Sequence, residues 1–373
     1  MTGKKTSENL KQNTCRGHVD KHRARELHDK NCAVPAYSLK NERGFSMVET
    51  LIALALSLIV LAGSIRALND AMGLNDKSIQ IADIGQNMRA GLNLLERDFM
   101  SAGWGIPTGG IPLPSGDGST EVNRPGPPGT TYTFGAAMTL SAVNPGAALG
   151  PKWNGRATDM VNILYADNSL QLNQKPLDAI ATDGSNATVN IATKILGVNN
   201  EIQVGDLIAF SNALGNTVQY VTKVSGQILY FNTGDPLNLN QPGASQGSIS
   251  LLKSGGVYPP TTATRIWLVS YYLDFTTDPS TPRLIRRIND RDGEAVALVL
   301  ENMQLSYDLV DGVSNPTNVK TPTAPNSPNQ IRKVNILLSG RSTSEMKESG
   351  DYLRQSLTAQ VSLRSLSFID RYR

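Results

Sequence analysis

The residues best placed to do chemistry lie at one point of the chain, Arg43-Gly44-Phe45-Ser46-Met47-Val48-Glu49. A basic segment ends in Gly44, and an apolar run then continues to Ile65, just before Arg66, with Glu49 as its single charge. Phe45 to Ile65 is 21 residues, which as a helix spans about 31 Å, roughly one hydrocarbon core. An ionised carboxylate near the start of a membrane helix costs on the order of 2–3 kcal/mol unless something pairs with it, so Glu49 asks for a cation. Cutting the peptide bond after Gly44 would supply one. Phe45 would gain a free amine four residues before Glu49, and a neighbouring copy would bring the same amine. The implied chemistry is cleavage followed by ion pairing. The plain alternative is an ordinary membrane anchor with a stray Glu. Phe45, Leu51, Leu54, Leu58, Leu61 and Ile65 are expected within the membrane helix.

Other candidate chemistry is thin. Both cysteines (Cys15, Cys32) and all three histidines (His18, His22, His28) precede Gly44. Their spacing resembles a loose zinc site, but a leader, or translated sequence upstream of the true start, explains the segment as well. A mature chain starting at Phe45 would have neither residue type, which removes Cys–His nucleophile pairs, a catalytic His and any His/Cys metal site. Asn289-Asp290-Arg291-Asp292-Gly293-Glu294 has alternating carboxylates but lacks the spacing of a calcium loop, so it reads as a turn between strands. Asp308 and Asp311-Gly312 also read as a turn, Arg286-Arg287 as a solvated strand face, and Trp267, Tyr271, Tyr272 and Phe275 as core and rim of a strand. No nucleophile elbow or phosphate loop stands out. No catalytic residue, metal or cofactor is expected.

The elements that must position Gly44, Phe45 and Glu49 follow from pattern. The 373 residues are 39% hydrophobic and 18% charged, as suits a folded body. The net charge of +3 is unevenly spread: residues 1–44 hold ten of the 35 Lys/Arg and five of the 32 Asp/Glu, so they carry +5 and the rest −2. The body therefore gives no general electrostatic case for nucleic-acid binding. Lys40 and Arg43 would keep the N-terminus cytoplasmic by the positive-inside rule.

Beyond Arg66 the apolar positions Leu68, Met72, Ile79, Ile81, Ile84, Met88, Leu92, Leu95 and Phe99 recur largely at three- and four-residue intervals, with Asp76, Lys77, Asp83, Arg89, Arg97 and Asp98 mostly on other faces. Gly63, Gly73, Gly85 and Gly91 are expected as flexible points or sites of close helix packing. Gly103-Trp104-Gly105-Ile106-Pro107 ends the helix. Residues 103–130, rich in Gly and Pro, read as an irregular connection.

Strands are expected at Met160–Tyr165, Asp206–Phe210, Val218–Val224, Gln227–Phe231, Ser248–Leu252, Arg265–Asp274, Leu284–Ile288, Leu305–Leu309, Val334–Ser339 and Thr358–Leu363. Ala295–Glu301 suits a short helix or a strand, and Asn315–Gln330 an exposed loop. The fold class is α+β: a long N-terminal helix, membrane half plus amphipathic half, packed on an antiparallel β-sheet domain. The organisation is a leader over 1–44, a helix over 45–102 and a β-rich domain over 103–373.

Gly44, Phe45 and Glu49 together resemble the processing site of type IV pilins and pseudopilins. Further segments narrow the likeness. Leu95-Glu96-Arg97-Asp98-Phe99-Met100-Ser101-Ala102-Gly103-Trp104-Gly105 is similar to the helix end of PilW-type minor pilins. Gly205-Asp206-Leu207-Ile208-Ala209-Phe210 and Val221-Thr222-Lys223-Val224 resemble its central strands, Leu300-Glu301-Asn302-Met303-Gln304-Leu305-Ser306-Tyr307 its later strand, and Val334-Asn335-Ile336-Leu337-Leu338 and Val361-Ser362-Leu363-Arg364 its closing pair. The long leader and the long Gly/Pro segment depart from that pattern.

The resemblance implies an inner-membrane prepilin, cut after Gly44 by a prepilin peptidase and N-methylated at Phe45. Its C-terminal domain would be periplasmic, and the subunit would end in a pilus fibre or tip. The implied partners are other minor pilins, the major pilin and the inner-membrane assembly platform, with Glu49 meeting the amine of an adjacent subunit. A J-like pseudopilin of type II secretion and a pilus-associated adhesin are the alternatives.

Overall fold

The computed structural model describes residues 44–135, 138–167, 169–193, 195, 202–346 and 350–367. Of the expected leader only Gly44 falls among them; Cys15, His18, His22, His28, Cys32, Lys40 and Arg43 lie outside. The chain divides into two compact units, one up to Arg66 and one from Ala67 onward. A single 55-residue helix, α1 (Met47–Ser101), contributes to each.

Among the described residues of the first unit, the apolar side chains from Phe45 to Ile65 are exposed. In the second unit the expected apolar stripe is covered only in part. Leu68, Met72, Ile79 and Ile81 stay about half exposed, and burial begins at Ile84, continuing through Met88, Leu92, Leu95 and Phe99. Asp98 departs from the expected pattern: it is 2% exposed, on the core face. The helix stops at Ser101, and Gly103 takes a left-handed φ of 77°, where a side chain is strained and a terminating glycine is favoured. Gly103 N–H then donates to Leu164 O, and Ala166 N–H to Trp104 O, so the helix end is stitched directly to a strand.

That strand belongs to a seven-stranded antiparallel sheet. In chain order the principal strands are β1 (Val143–Gly146), β2 (Met160–Asp167), β3 (Ala179–Ile180), β4 (Asn186–Thr188), β5 (Leu207–Asn212), β6 (Gly215–Tyr220), β7 (Lys223–Ser225), β8 (Ile228–Tyr230), β9 (Thr262–Asp274), β10 (Arg283–Ile288), β11 (Glu294–Leu298), β12 (Leu300–Leu309), β13 (Ile331–Glu345) and β14 (Tyr352–Ser362). The 13-residue β9 organises the large sheet. One of its sides pairs with β5 and then β10, the other with β2, which carries β1. β3, β4, β8 and β7 form a four-stranded sheet with its own core around Phe210, Phe231, Leu229 and Ile249, and β12, β13 and β14 form a third sheet.

Both faces of β2 and β9 are covered, which is why Met160–Ala166 is apolar at successive rather than alternate positions, broken only by Asn162, whose side chain is hydrogen-bonded. Val161, Ile163, Val269 and Tyr271 join the core with α1, while Leu164, Ile266 and Leu268 join a second core with Ile111, Leu113 and Val122. The Gly/Pro-rich segment is thus a built layer, not a mere connection. Buried Arg124 pins it: its guanidinium donates to Asn162 Oδ1 and to the carbonyls of Asn144 and Pro145. Burial pulls its pKa down to about 10.

Other expectations are corrected in detail. Ser248–Leu252 is not a strand; Ile249–Leu252 forms a 3₁₀ turn, because the Ser248 hydroxyl accepts from Ser250 N–H and offers the backbone a local alternative to a ladder. The run Val218–Val224 breaks after Tyr220, where Val221 bonds back to Gly205 and Asp206, and the chain passes from one sheet to the next. Ala295–Glu301 is strand on both sides of Val299. Asp308 sits inside β12 and accepts from Asn318 and Asn335. Asp311 does make a turn, accepting the N–H groups of Val313, Ser314 and Asn315, contacts that hold its carboxyl down at about 2. Within Asn315–Gln330, Val319 pairs with Tyr307 by two backbone hydrogen bonds, so that loop is partly anchored.

Candidate functional site

Gly44 and Phe45 precede the helix, and Phe45 is 83% exposed. Ser46 caps the helix: its hydroxyl accepts from Glu49 N–H at 3.2 Å, while Glu49 Oε2 accepts from Ser46 N–H at 3.1 Å. This reciprocal pair is a capping box, in which two otherwise orphaned donors of the first turn are satisfied. Its consequence is positional. The Glu49 carboxylate is held at the N-terminal end of α1, one residue from the nitrogen of Phe45. The helix dipole there favours a negative group. Ser46-x-x-Glu49 is a legible capping signature, although the sequence reading did not use it.

Behind this end the helix is suited to lipid. The helix is long and apolar enough to cross a membrane, and its most apolar stretch has no buried residue. Leu51, Leu54, Leu58, Leu61 and Ile65 fall at three- and four-residue spacing along one side, each more than half exposed. The hydroxyls of Thr50, Ser57 and Ser64 donate to carbonyls of the preceding turn, at Met47, Leu54 and Val60. These three hydroxyls are therefore satisfied within the helix and do not need water. Gly44, Phe45, Glu49 and this apolar run form one continuous site.

The other end of α1 is fixed by a buried polar cluster absent from the sequence reading. Asp98 accepts from Tyr271 Oη at 2.7 Å, Arg286 Nε at 2.7 Å and Tyr165 Oη at 3.3 Å. Burial, then the neighbouring carboxylate, pushes the Tyr165 hydroxyl up to about 12 and moves Tyr271 the same way. Burial pulls the other way on Arg286, but its hydrogen bond to Asp98 and the attraction between them hold it above its ordinary value. Arg286 is therefore not a solvated strand residue. Arg287 is folded back on the 289–294 turn, donating to Asp290 Oδ1 and Arg291 O, and is only partly exposed. Among the described residues no three His, Cys, Asp or Glu side chains gather so as to hold a metal ion.

The family model for the prokaryotic N-terminal methylation motif matches residues 39–65, which include Gly44, Phe45, Glu49 and the apolar run. No curated protein and no solved structure matches the chain. The motif supports a type IV pilin-like or pseudopilin precursor, and the N-terminal apolar helix is consistent with a single-pass membrane anchor.

Proposed function

We propose that this chain is a minor pilin of the PilW type, a structural subunit of a complex that primes type IV pilus assembly. The observation that carries the reading is the methylation motif over residues 39–65, at the head of an exposed apolar helix that continues into a β-rich domain. A prepilin peptidase cuts after Gly44 and methylates the new amine of Phe45. The membrane helix holds the subunit in the inner membrane, with the domain from residue 103 in the periplasm, until it passes to the fibre or tip.

Glu49 then acts by charge. In the dry helical core of a fibre its carboxylate meets the Phe45 amine of an adjacent subunit. Burying that pair carries a desolvation cost, so its best-attested use is to fix register and docking. Other minor pilins, the major pilin and the assembly platform are the partners, and the chain has no catalytic role.

The test is co-expression of the full chain with a prepilin peptidase, followed by mass spectrometry of the N-terminus. A chain starting at N-methylated Phe45 supports the reading; an uncut chain overturns it. Recovery of the processed subunit with minor pilins rather than with a type II secretion pseudopilus separates the pilus assignment from its nearest alternative.

A further inference from the structure

Lys152–Trp153 and Arg156–Ala157 form a small hairpin of their own, pairing Lys152 with Ala157 and Trp153 with Arg156. Its turn is Asn154-Gly155, with left-handed φ values of 49° and 80°, the residue pair that a two-residue turn of this type favours. Asn154, Gly155 and Arg156 are exposed. Among the described residues nothing hydrogen-bonds to the Asn154 amide or to the Gly155 N–H. A Cβ built on Gly155 would meet nothing within 4 Å. Asn154-Gly155 is also the one Asn-Gly pair in the chain.

The other left-handed asparagines differ. Asn238, Asn289, Asn315 and Asn318 also have positive φ, but Leu, Asp, Pro and Val follow them. Asn238 donates to Thr120 and Glu121, and buried Asn289 donates to Gly205. A side chain on the following residue shields that residue's nitrogen from the asparagine amide, and glycine has none.

We propose that Asn154 is a site of spontaneous deamidation, with its hairpin as the gate. The Gly155 nitrogen gives up its proton to hydroxide and attacks Asn154 Cγ. A C–N bond forms there, the bond from Cγ to the amide nitrogen breaks, and that nitrogen leaves as ammonia after taking a proton from water. One water then opens the cyclic imide, its hydroxyl going to a carbonyl carbon and its proton to the ring nitrogen. Opening at Cγ gives aspartate. Opening at the backbone carbonyl carbon gives isoaspartate, in which the chain runs through Cγ.

Closing the imide ring needs a ψ at Asn154 outside the left-handed region, so the turn must open first. A ladder of two residue pairs is little to break, and no third strand lies beside it. The base of the hairpin is fixed: Thr158 donates its N–H and its hydroxyl to Pro151 O, and Gln304 donates to Ala157 O. Opening is therefore confined to the tip. The two products act differently. Aspartate keeps the turn, since Asp-Gly suits it as well, and its charge is flanked by Lys152 and Arg156. Isoaspartate adds an atom to the backbone of a two-residue turn and unpairs it. Trp153, whose ring lies 5.8 Å from Phe275 and 5.8 Å from the Arg341 guanidinium, then loses its hold.

The test ages the full chain in detergent micelles at mildly alkaline pH and follows it by isoelectric focusing and peptide mapping. An acidic species is expected, with NH replaced by O first in the peptide that spans residues 152–157, as both aspartate and isoaspartate. It should form at least about tenfold faster than from Asn154→Gln, because only the Asn-Gly pair sets an unshielded nitrogen within reach of the amide carbon. The rate should rise with pH, and Trp153→Ala, which frees the tip, should raise it further. The isoaspartyl fraction should unfold at a lower temperature than Asn154→Asp. An aged chain with no acidic species overturns the proposal. So does an acidic species formed as fast by Asn154→Gln, which would put the reaction elsewhere, or aspartate without isoaspartate, which would mean direct hydrolysis. A rate unchanged by Trp153→Ala overturns the hairpin as the gate.

Discussion

Arg286 reaches from β10 to Asp98 near the end of α1, its Nε 2.7 Å from Asp98 Oδ2 with both side chains largely withdrawn from water. The bond joins residues 188 apart in sequence and closes the helix onto the sheet at the one charged position of its buried face. Tyr271 and Tyr165 fill the remaining acceptor sites of the carboxylate, as a buried charge requires.

Removing one partner should therefore cost more than the pair is worth. Asp98→Ala leaves the Arg286 guanidinium without its carboxylate and should destabilise the domain by about 3–5 kcal/mol. Thermal unfolding of the full chain in detergent reads this as a large fall in midpoint. Asp98→Leu combined with Arg286→Met, with Tyr271→Phe added so that no buried hydroxyl is left without its acceptor, should recover most of the loss, since apolar groups of similar volume carry no desolvation cost. Equal losses in the single and triple variants would show that the cluster acts by packing alone.

Buried tyrosines, two of them in this cluster, weaken the fold at alkaline pH. Tyr165 is raised from 10.0 to about 12, and Tyr271 and Tyr307 are raised as well, each chiefly by burial. A raised folded-state pKa contributes stability that is whole below the unfolded value and is lost as pH climbs toward the folded one. Stability should thus begin to fall near pH 10, with tyrosinate absorbance from these residues appearing together with unfolding. Tyr165→Phe and Tyr271→Phe should flatten that fall. Smooth ionisation of all tyrosines in a chain that remains folded would contradict it.

Much of this architecture was legible in the sequence, and its failures share a cause. Gly44, Phe45 and Glu49 stand out because a lone charge in an apolar run demands an explanation within a few residues. The strands of the double-covered sheet stand out for apolar and aromatic residues at successive positions, as in Ile163-Leu164-Tyr165 and Ile266-Trp267-Leu268-Val269. Asp98 was hidden because a charge three residues after Leu95 and one before Phe99 looks like the edge of an amphipathic stripe, and its partner Arg286 is remote in sequence. Residues 103–130 read correctly as irregular, but Ile111, Leu113 and Val122 have no period, so their burial under the second face of the sheet left no pattern.

Gly91 gives a packing test in the same region. A Cβ there would come within 2.9 Å of Ala297 Cβ and 3.1 Å of Leu284 Cδ2. It is the sheet, and not another helix, that approaches closely. Ala favours a helix by up to about 1 kcal/mol over Gly, but overpacking typically costs about 1–3 kcal/mol, and the short side chain of Ala297 cannot swing aside. Gly91→Ala should therefore destabilise, and adding Ala297→Gly should restore stability. By contrast Gly63 has nothing within 4 Å of a built Cβ, so Gly63→Ala should be neutral or stabilising. Denaturant midpoints of the three variants in detergent distinguish these outcomes.

The N-terminal capping box separates the structural from the electrostatic work of Glu49. Ser46→Ala removes the hydroxyl that accepts from Glu49 N–H, which should cost the first turn about 0.5–2 kcal/mol. Ser46→Thr should keep most of it. Because the Ser46 backbone N–H remains to hold the carboxylate, the alanine variant should fray residues 47–50 in amide exchange yet still be cut after Gly44 and still join the fibre. Glu49→Gln retains a side-chain oxygen for the cap and removes the charge. If pairing with a neighbouring amine is what Glu49 does, the glutamine variant should be processed at a normal rate but be lost from assembled fibres by at least about tenfold, while its first turn stays protected. Loss of assembly in Ser46→Ala equal to that in Glu49→Gln would instead assign the role to helix capping.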